Sequence, residues 1–461
     1  MKTKFYTLAI FIFMTIAGYC QFTPVNINFQ SSPYGNYPEY ISITGASNVW
    51  LGNRRGDSIT QVPYTYAVHT NDGGTTWQFD SIPAPGDPIM SSVCAVDANT
   101  CFYTFTDYGV GGSIWKTSDG GATWANKTVN QFTEPGAFAD FYCAFSASEG
   151  VALGDPTLGY FEILRTTNGG DTWSRVDSSL IPSIFPWEMG ATHVYSSVGD
   201  NLWFASLIPD GNGTYSSRVF KSADRGQHWT VSPIVADNLS WVAMQFSSPM
   251  NGVLYDGGYG GPIHEFYRTT DGGNTWAIDS VTFTSDIYFF MSSVPGFDGG
   301  FVVATNDAPA GTYDTKVLFT PDFFNTIVVL DSNLDANPWG IKFLDASTGW
   351  MEGNGTNEIA MHKFNGLLTS VSEAVKSPEK LAIMPNPTSG EALVKLPDMQ
   401  EKKSLRLMVY DLNGRMYGDE MIVNTTGWAK LDASGYPGGT YIVQILSGDR
   451  IIAGTKWMVQ H

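Results

Sequence analysis

Thr269-Thr-Asp271-Gly-Gly273-Asn-Thr-Trp276 decides the fold, because the same hairpin recurs along the chain. It is written as Thr70-Asn-Asp72-Gly-Gly-Thr-Thr-Trp77, as Thr117-Ser-Asp119-Gly-Gly-Ala-Thr-Trp124 and as Thr166-Thr-Asn168-Gly-Gly-Asp-Thr-Trp173. Ser222-Ala-Asp224-Arg-Gly-Gln-His-Trp229 is a further copy, and Thr320-Pro-Asp322-Phe-Phe-Asn-Thr-Ile327 has lost both Gly and Trp. From Trp77 the steps to 124, 173, 229, 276 and 327 are 47, 49, 56, 47 and 51 residues. That length holds four short strands and their turns, the unit of a β-propeller blade. The Asp, or Asn168, can accept N–H groups of its own turn, the Gly pair supplies positive φ, and the Trp opens the next strand with a large ring to bury. The copy at 320–327 must turn without Gly and is expected to be the most irregular.

A strand–turn–strand element precedes each hairpin, as in Ala144-Phe-Ser-Ala-Ser-Glu-Gly150, Gln245-Phe-Ser-Ser-Pro-Met-Asn-Gly252 and Lys342-Phe-Leu-Asp-Ala-Ser-Thr-Gly349. Weaker copies begin near Ile41, Val93, Asn201 and Gly300, so the strand pairs outnumber the hairpins by one. The last unit stops at Phe364 without a fourth strand, whereas Phe22–Asn28 is a strand without a unit. The economical solution is an all-β, seven-bladed propeller whose N-terminal strand completes the last blade.

Bulk composition fits a turn-dense β protein: 461 residues with 49 Gly, 14% aromatic and only 15% charged. Net charge is −19, and residues 21–377 alone carry 14 basic against 35 acidic side chains. Such a surface repels phosphate backbones, so nucleic acid is not an expected partner. Lys2, Lys4 and the apolar run Phe5–Ala17 read as an export signal over residues 1–20, with cleavage before Gln21. Lipid attachment at Cys20 is disfavoured by the bulky Tyr19. No later stretch is long and apolar enough for a transmembrane helix. Cys94 and Cys101 flank a hairpin turn, where a disulfide competes with three free thiols, Cys143 included.

Residues 21–368 resemble the Asp-box (BNR) propellers, a group that includes sialidases, xyloglucanase-type glycosidases, sortilin-type receptors and the photosystem II assembly and stability factors. The segments Phe343–Trp350 and Arg268–Trp276 are most similar to that last subgroup. The resemblance implies fold rather than activity, because the box is a structural device shared by unrelated functions. After a linker at 369–380, residues 381–461 alternate polar and apolar positions as a small Ig-like β-sandwich does. With Pro385-Asn-Pro387, Tyr410-Asp-Leu-Asn-Gly-Arg415 and Gly438-Gly-Thr-Tyr441 in order, this tail resembles the C-terminal sorting domain of type IX secretion cargo. That resemblance implies the type IX machinery as partner, and a protein released or held at the outer-membrane surface.

Catalytic motifs are missing: the six His are scattered, and there is no His-Glu-x-x-His, Cys-x-x-Cys or Gly-x-Ser-x-Gly. Arg165 and Arg268 precede boxes, as Lys116 and Lys221 do, so they read as structural rather than as a carboxylate-binding cluster. Asp-box propellers carry their boxes on one face, and the loops joining second and third strands emerge on the other. Those loops are rich in Tyr and Asp here, which suits sugar or peptide but also ordinary turns. The binding candidates are Tyr108, Asp155, Tyr160, Asp256, Tyr259 and Tyr313. Asp155 and Asp256 would be the carboxylates if the protein were a glycosidase or lyase instead of a recognition module. No cofactor is expected. The one calcium-like run is Asp331-Ser-Asn333-Leu-Asp335, although Ala336 replaces the turn Gly and Lys342 stands where a closing Glu belongs.

Overall fold

The structure is a computed structural model. It describes residues 21–27, 38–53, 65–86, 88–107, 111–134, 136–256, 266–279, 288–306, 315–354, 359–369, 379–380, 382–396, 405–411, 416–422, 427–447 and 450–460. The chain forms two compact units divided between Thr369 and Ser370.

The first unit is built from antiparallel sheets in chain order. In the sheet over 139–175, strands Ala139–Ala144, Gly150–Gly154, Glu162–Thr166 and Ser174–Arg175 are each hydrogen-bonded to the next. The same four-stranded pattern starts at Pro38, Ile89, Val242 and Tyr288. A six-stranded variant over 189–239 adds the pair Tyr215–Ser217 and Ala236–Leu239, the first of which lies within the 56-residue step. The first strand of each sheet contacts the first strand of the next, and Asn337–Phe343 returns to contact Pro38–Gly45. These inner strands therefore surround a channel. Ring closure is explicit: Phe22 to Asn26 pair with Phe364 to Ala360, as the fourth strand of the 337–364 sheet.

The hairpins work as their residues predict. Asp119 Oδ1 accepts the Thr123 N–H at 2.9 Å, its Oδ2 accepts the Thr123 hydroxyl at 2.6 Å, and Thr117 Oγ1 accepts Gly121 N–H at 2.9 Å. Asp72, Asn168, Asp224 and Asp271 take the equivalent backbone N–H groups. Each box also donates one N–H to the turn between the first two strands of its own sheet, as Gly120 does to Asn99 and Gly169 to Ser148. Boxes and these turns therefore share a face. The residue before the box clasps the next sheet: Lys116 Nζ donates to Gly169 O at 2.7 Å and Arg165 Nε to Arg225 O at 3.0 Å. The box Trp rings pack edge-on against core aromatics, Trp77 on Trp350 and Trp124 on Trp50 and Tyr103; Trp173, Trp229 and Trp276 meet Tyr142, Phe204 and Phe246.

The copy at 320–327 departs from expectation by being regular. Thr326 N–H reaches Asp322 Oδ1 at 2.7 Å and Phe324 N–H reaches Thr320 Oγ1 at 2.7 Å, as in the other copies. Phe323 and Phe324 adopt φ of 55° and 62°, which costs about 1–2 kcal/mol per residue. Both rings are buried beside Phe301, and the Arg268 guanidinium lies 3.8 Å from the Phe323 ring centroid. Burying such a ring is worth about 1.5–3 kcal/mol, enough to offset the strain.

Two alternatives that the sequence leaves open take one form in the structure. Cys94 pairs with Phe102 and Cys101 with Ala95, so the register is offset by one residue and the two side chains point to opposite faces. Cys94, Cys101 and Cys143 are all free thiols. Asp331 lies within the extended strand Val328–Leu334, where the chain cannot wrap a cation as a calcium loop does. One Asp331 oxygen instead accepts the Phe22 N–H at 3.3 Å, and the other Ser332 N–H at 2.9 Å. Among the described residues no cluster of three metal-ligating side chains forms, and no helix is long and apolar enough to cross a membrane.

The second unit packs a five-stranded sheet, Glu379–Lys380, Arg450–Val459, Gly439–Ser447, Leu405–Asp411 and Met416–Ile422, with a three-stranded one over Ile383–Met384, Glu391–Lys395 and Trp428–Asp432. Their inward positions, Val394, Leu407, Val409, Val443, Ile445 and fully buried Trp457, form one core. Period-2 alternation, as in the exposed–buried pattern of Glu391–Lys395, is what lets so short a sequence fill two layers.

Candidate functional site

The departures from regularity gather at the box-free end of the channel, where the 139–175 sheet meets its successor. Ala139 pairs with Gly154, which brings Asp140 and Asp155 to the same edge. The next inner strand, Met189–Val198, is bulged: Gly190 pairs with Ser206 but Tyr195 with Phe204, so Ala191–Val194 face a single residue. Gly190 N–H donates to Asp155 Oδ1 at 2.7 Å. A Cβ on Gly190 would lie 2.3 Å from Asp140 Oδ2, so only glycine lets both carboxyls approach this backbone. Thr192 bonds the Asp140 side chain, while Asp140 Oδ2 is buried without a hydrogen-bond partner. Within the bulge His193 has φ 62°, and its ring centroid lies 4.2 Å from that of Tyr40, on the first inner strand of the ring.

The connection leading into the bulge is fixed by a buried ion pair. Glu188 accepts Arg218 Nε at 3.0 Å and Nη2 at 2.5 Å, the Ser206 hydroxyl at 2.6 Å and Phe185 N–H at 2.8 Å. Arg218 also donates to Ser183 O at 3.1 Å and stacks 4.3 Å from the Phe185 ring. This clamp leaves Trp187 85% exposed at φ 64°, with Phe185 43% exposed beside it in sequence. A bulky residue held in the left-handed region is strained, and such strain concentrates at functional sites.

Electrostatics set the protonation of the pair. Burial pushes the Asp140 carboxyl far above the usual range, and the Asp155 charge pushes it further. Burial raises Asp155 to about 6, opposed by the Gly190 N–H. Burial takes His193 down to about 3, with the Lys342 charge adding to it. Of the two carboxyls, Asp140 is held the more strongly in its protonated form and Asp155 is the one that ionises first, beside an imidazole that burial keeps uncharged.

Of the residues named from sequence, Asp155 lies at this site. Tyr160 is half-buried and packs against the adjacent core. Asp256 is spent locally, accepting the Ser240 hydroxyl at 2.7 Å and the Ser240 and Trp241 N–H groups at 3.0 and 3.1 Å. The neighbour of Asp155 is thus Asp140, not Asp256. Tyr108, Tyr259 and Tyr313 fall outside the described residues. Asp140, Gly190, His193 and Trp187 escaped the sequence reading. Trp187 had a visible signal, a Pro-rich run Ile181-Pro-Ser-Ile-Phe-Pro-Trp187 on a connection between successive sheets that reaches the same face.

Residues 382–460 match the profile of the secretion system C-terminal sorting domain, and residues 105–232 that of photosynthesis system II assembly factor YCF48. Xyloglucanase Xgh74A of Acetivibrio thermocellus is 25% identical over 274 residues, covering 51% of this chain and 30% of the enzyme. A xyloglucanase of Hypocrea jecorina is 21% identical over 291 residues, covering 53% and 33%. The chain thus spans about a third of the length of the curated relatives it matches. A solved structure of YCF48 bound to D1 peptide superposes with a TM-score of 0.51 at 15% identity, over 76% of this chain and 97% of that one. The chain therefore carries a YCF48/BNR-type propeller domain and a C-terminal type IX secretion sorting domain, which directs it to secretion or to the outer-membrane surface.

Proposed function

We propose that the mature protein is a seven-bladed propeller, residues 21–368, that recognises carbohydrate on its box-free face. In this reading residues 1–20 are removed on export and the linker 369–380 joins the propeller to the sorting domain at 381–461. Closure of the ring by Phe22–Asn26 supports the blade count. The observation that carries the ligand class is Trp187: a flat apolar ring, 85% exposed and clamped from below, is the surface on which a sugar face stacks. Glycan-array screening of the mature chain, followed by titration of any hit, tests it. Binding should be lost in Trp187→Ala; absence of any glycan hit, or a hit indifferent to that substitution, overturns the proposal.

A second reading, a glycoside hydrolase or lyase, is favoured by the adjacent Asp140 and Asp155, and the matched relatives include xyloglucanases. Asp155 would exchange the proton with substrate and Asp140 would position it. Turnover of the bound polysaccharide that is abolished by Asp155→Asn, with binding kept, supports this reading; binding without turnover rejects it.

A further inference from the structure

The other end of the channel carries a group that neither reading uses. Lys342 sits one residue before the end of the inner strand Asn337–Phe343, next to the turn on the box side. Its neighbours Ile341 and Phe343 are buried at 7% and 2%, whereas Lys342 itself is exposed. On a strand that alternation points the side chain away from the core, here into the channel. Its charge acts on Cys94, Cys143 and His193, which belong to three different inner strands. The ammonium therefore stands among strands remote from its own.

The equivalent positions on the other inner strands, Ser42, Cys94, Cys143, Ser196, Gln245 and Ser292, carry no charged side chain. Ser42 Oγ accepts Ala95 N–H at 2.9 Å, Cys94 Sγ accepts Ala144 N–H at 3.4 Å, Ser196 Oγ accepts Phe246 N–H at 3.0 Å and Ser292 Oγ accepts Phe343 N–H at 2.9 Å. Each ties its strand to the next one round the ring. Ser42 and Ser196, acting as acceptors, keep a hydroxyl proton to donate. Lys342 breaks this pattern with a long cation. Residues 21–377 hold 35 acidic side chains against 14 basic, yet among the described residues no ion pair or hydrogen bond is formed by Lys342. The surrounding protein lowers its ammonium pKa, and no carboxylate contributes to holding it up. An ammonium that lines a channel and has no counter-charge of its own attracts an anion from solvent.

We propose that the channel at Lys342 is a binding site for an oxyanion, the carboxylate or sulfate group of an acidic ligand, held by the ammonium and by hydroxyl donors of the inner-strand ring. This site is separate from the Trp187 platform and stands whether or not that platform binds sugar.

The test is titration of the mature chain with inorganic sulfate and, separately, D-glucuronate. Ionic strength is held constant with sodium chloride, and D-glucose serves as the neutral control. Calorimetry and the melting temperature are the readouts. Saturable binding of at least one oxyanion, weakened about tenfold or more in Lys342→Met and unchanged in Trp187→Ala, is the expected result; which of the two saturates identifies the charged group. No saturable binding in the wild type, or equal binding by Lys342→Met, overturns the proposal. Should that variant not fold, the lysine 13Cε resonances of the wild-type chain decide. Saturating oxyanion must shift one low-pKa resonance, and an unmoved spectrum refutes the site.

Discussion

The two ends of the channel are made from the same inner strands and obey different rules. On the box side the hairpins repeat one solution, a carboxylate or amide capping its own turn, and at Lys116 and Arg165 a cation clasps the next hairpin. Even the copy that lost its glycines keeps the backbone. On the box-free side a single sheet boundary collects a bulge, two bulky residues at positive φ, a buried ion pair and two adjacent carboxyls. Repetition marks what holds the ring together. The isolated exception marks where chemistry is available.

The largest expected effect removes the support of that exception. Arg218→Met leaves Glu188 buried and unpaired, and should cost about 3–5 kcal/mol in chemical denaturation. Next, Gly190→Ala should cost about 2 kcal/mol, since the added Cβ would sit 2.3 Å from a buried carboxylate oxygen. On the regular side, Asp119→Ala should cost only about 1 kcal/mol, the worth of one cap. Equal losses for the last two would erase the distinction between the ends.

The ends also differ in the sign of their pH dependence. Asp155 is raised from 3.8 to about 6, so the folded state keeps a proton that the unfolded chain releases. Stability should fall as pH rises from about 4 through 6, with Asp140 extending the decline upward, by up to about 1.4 kcal/mol per pH unit for each proton. Asp72 is held at about 2, first by the Thr76 hydroxyl and then by the Thr76 N–H. Its contribution is present above about pH 4 and lost as pH falls toward 2. Asp140→Asn should flatten the alkaline limb and leave the acid limb intact, as read from melting temperature against pH. The smallest effect is Trp187→Gly, which relieves the φ of 64° and should stabilise the fold by about 1 kcal/mol while removing the platform.

The regular end was legible in the sequence because its parts are local. Asp119 and Thr123 are four residues apart, and the Gly pair advertises its own backbone angles. The strand count even exposed the closing role of Phe22–Asn26. The exceptional end was hidden because its partners are distant in the chain. Asp155 meets Gly190 across 35 residues and Glu188 meets Arg218 across 30, while the ring of His193 lies on Tyr40. Asp155 was found by its loop composition and Asp140 was not, because a strand carboxylate carries no signal until the register is known. The same limit misplaced the cysteines: a one-residue offset, Cys94 opposite Phe102, sends the thiols to opposite faces.

The closing strand also sets how the ring responds to force. Phe22 pairs with Phe364 and Asn26 with Ala360, so the N-terminal end and the end leading to Thr369 leave the same side of one strand pair. Tension applied between them loads the pair as a zipper, one rung at a time, rather than shearing all rungs together. A chain drawn by its C-terminal tail against a held N-terminus therefore opens at this seam before any blade unravels. Single-molecule pulling from residues 22 and 368 would register the seam as an early, low-force step.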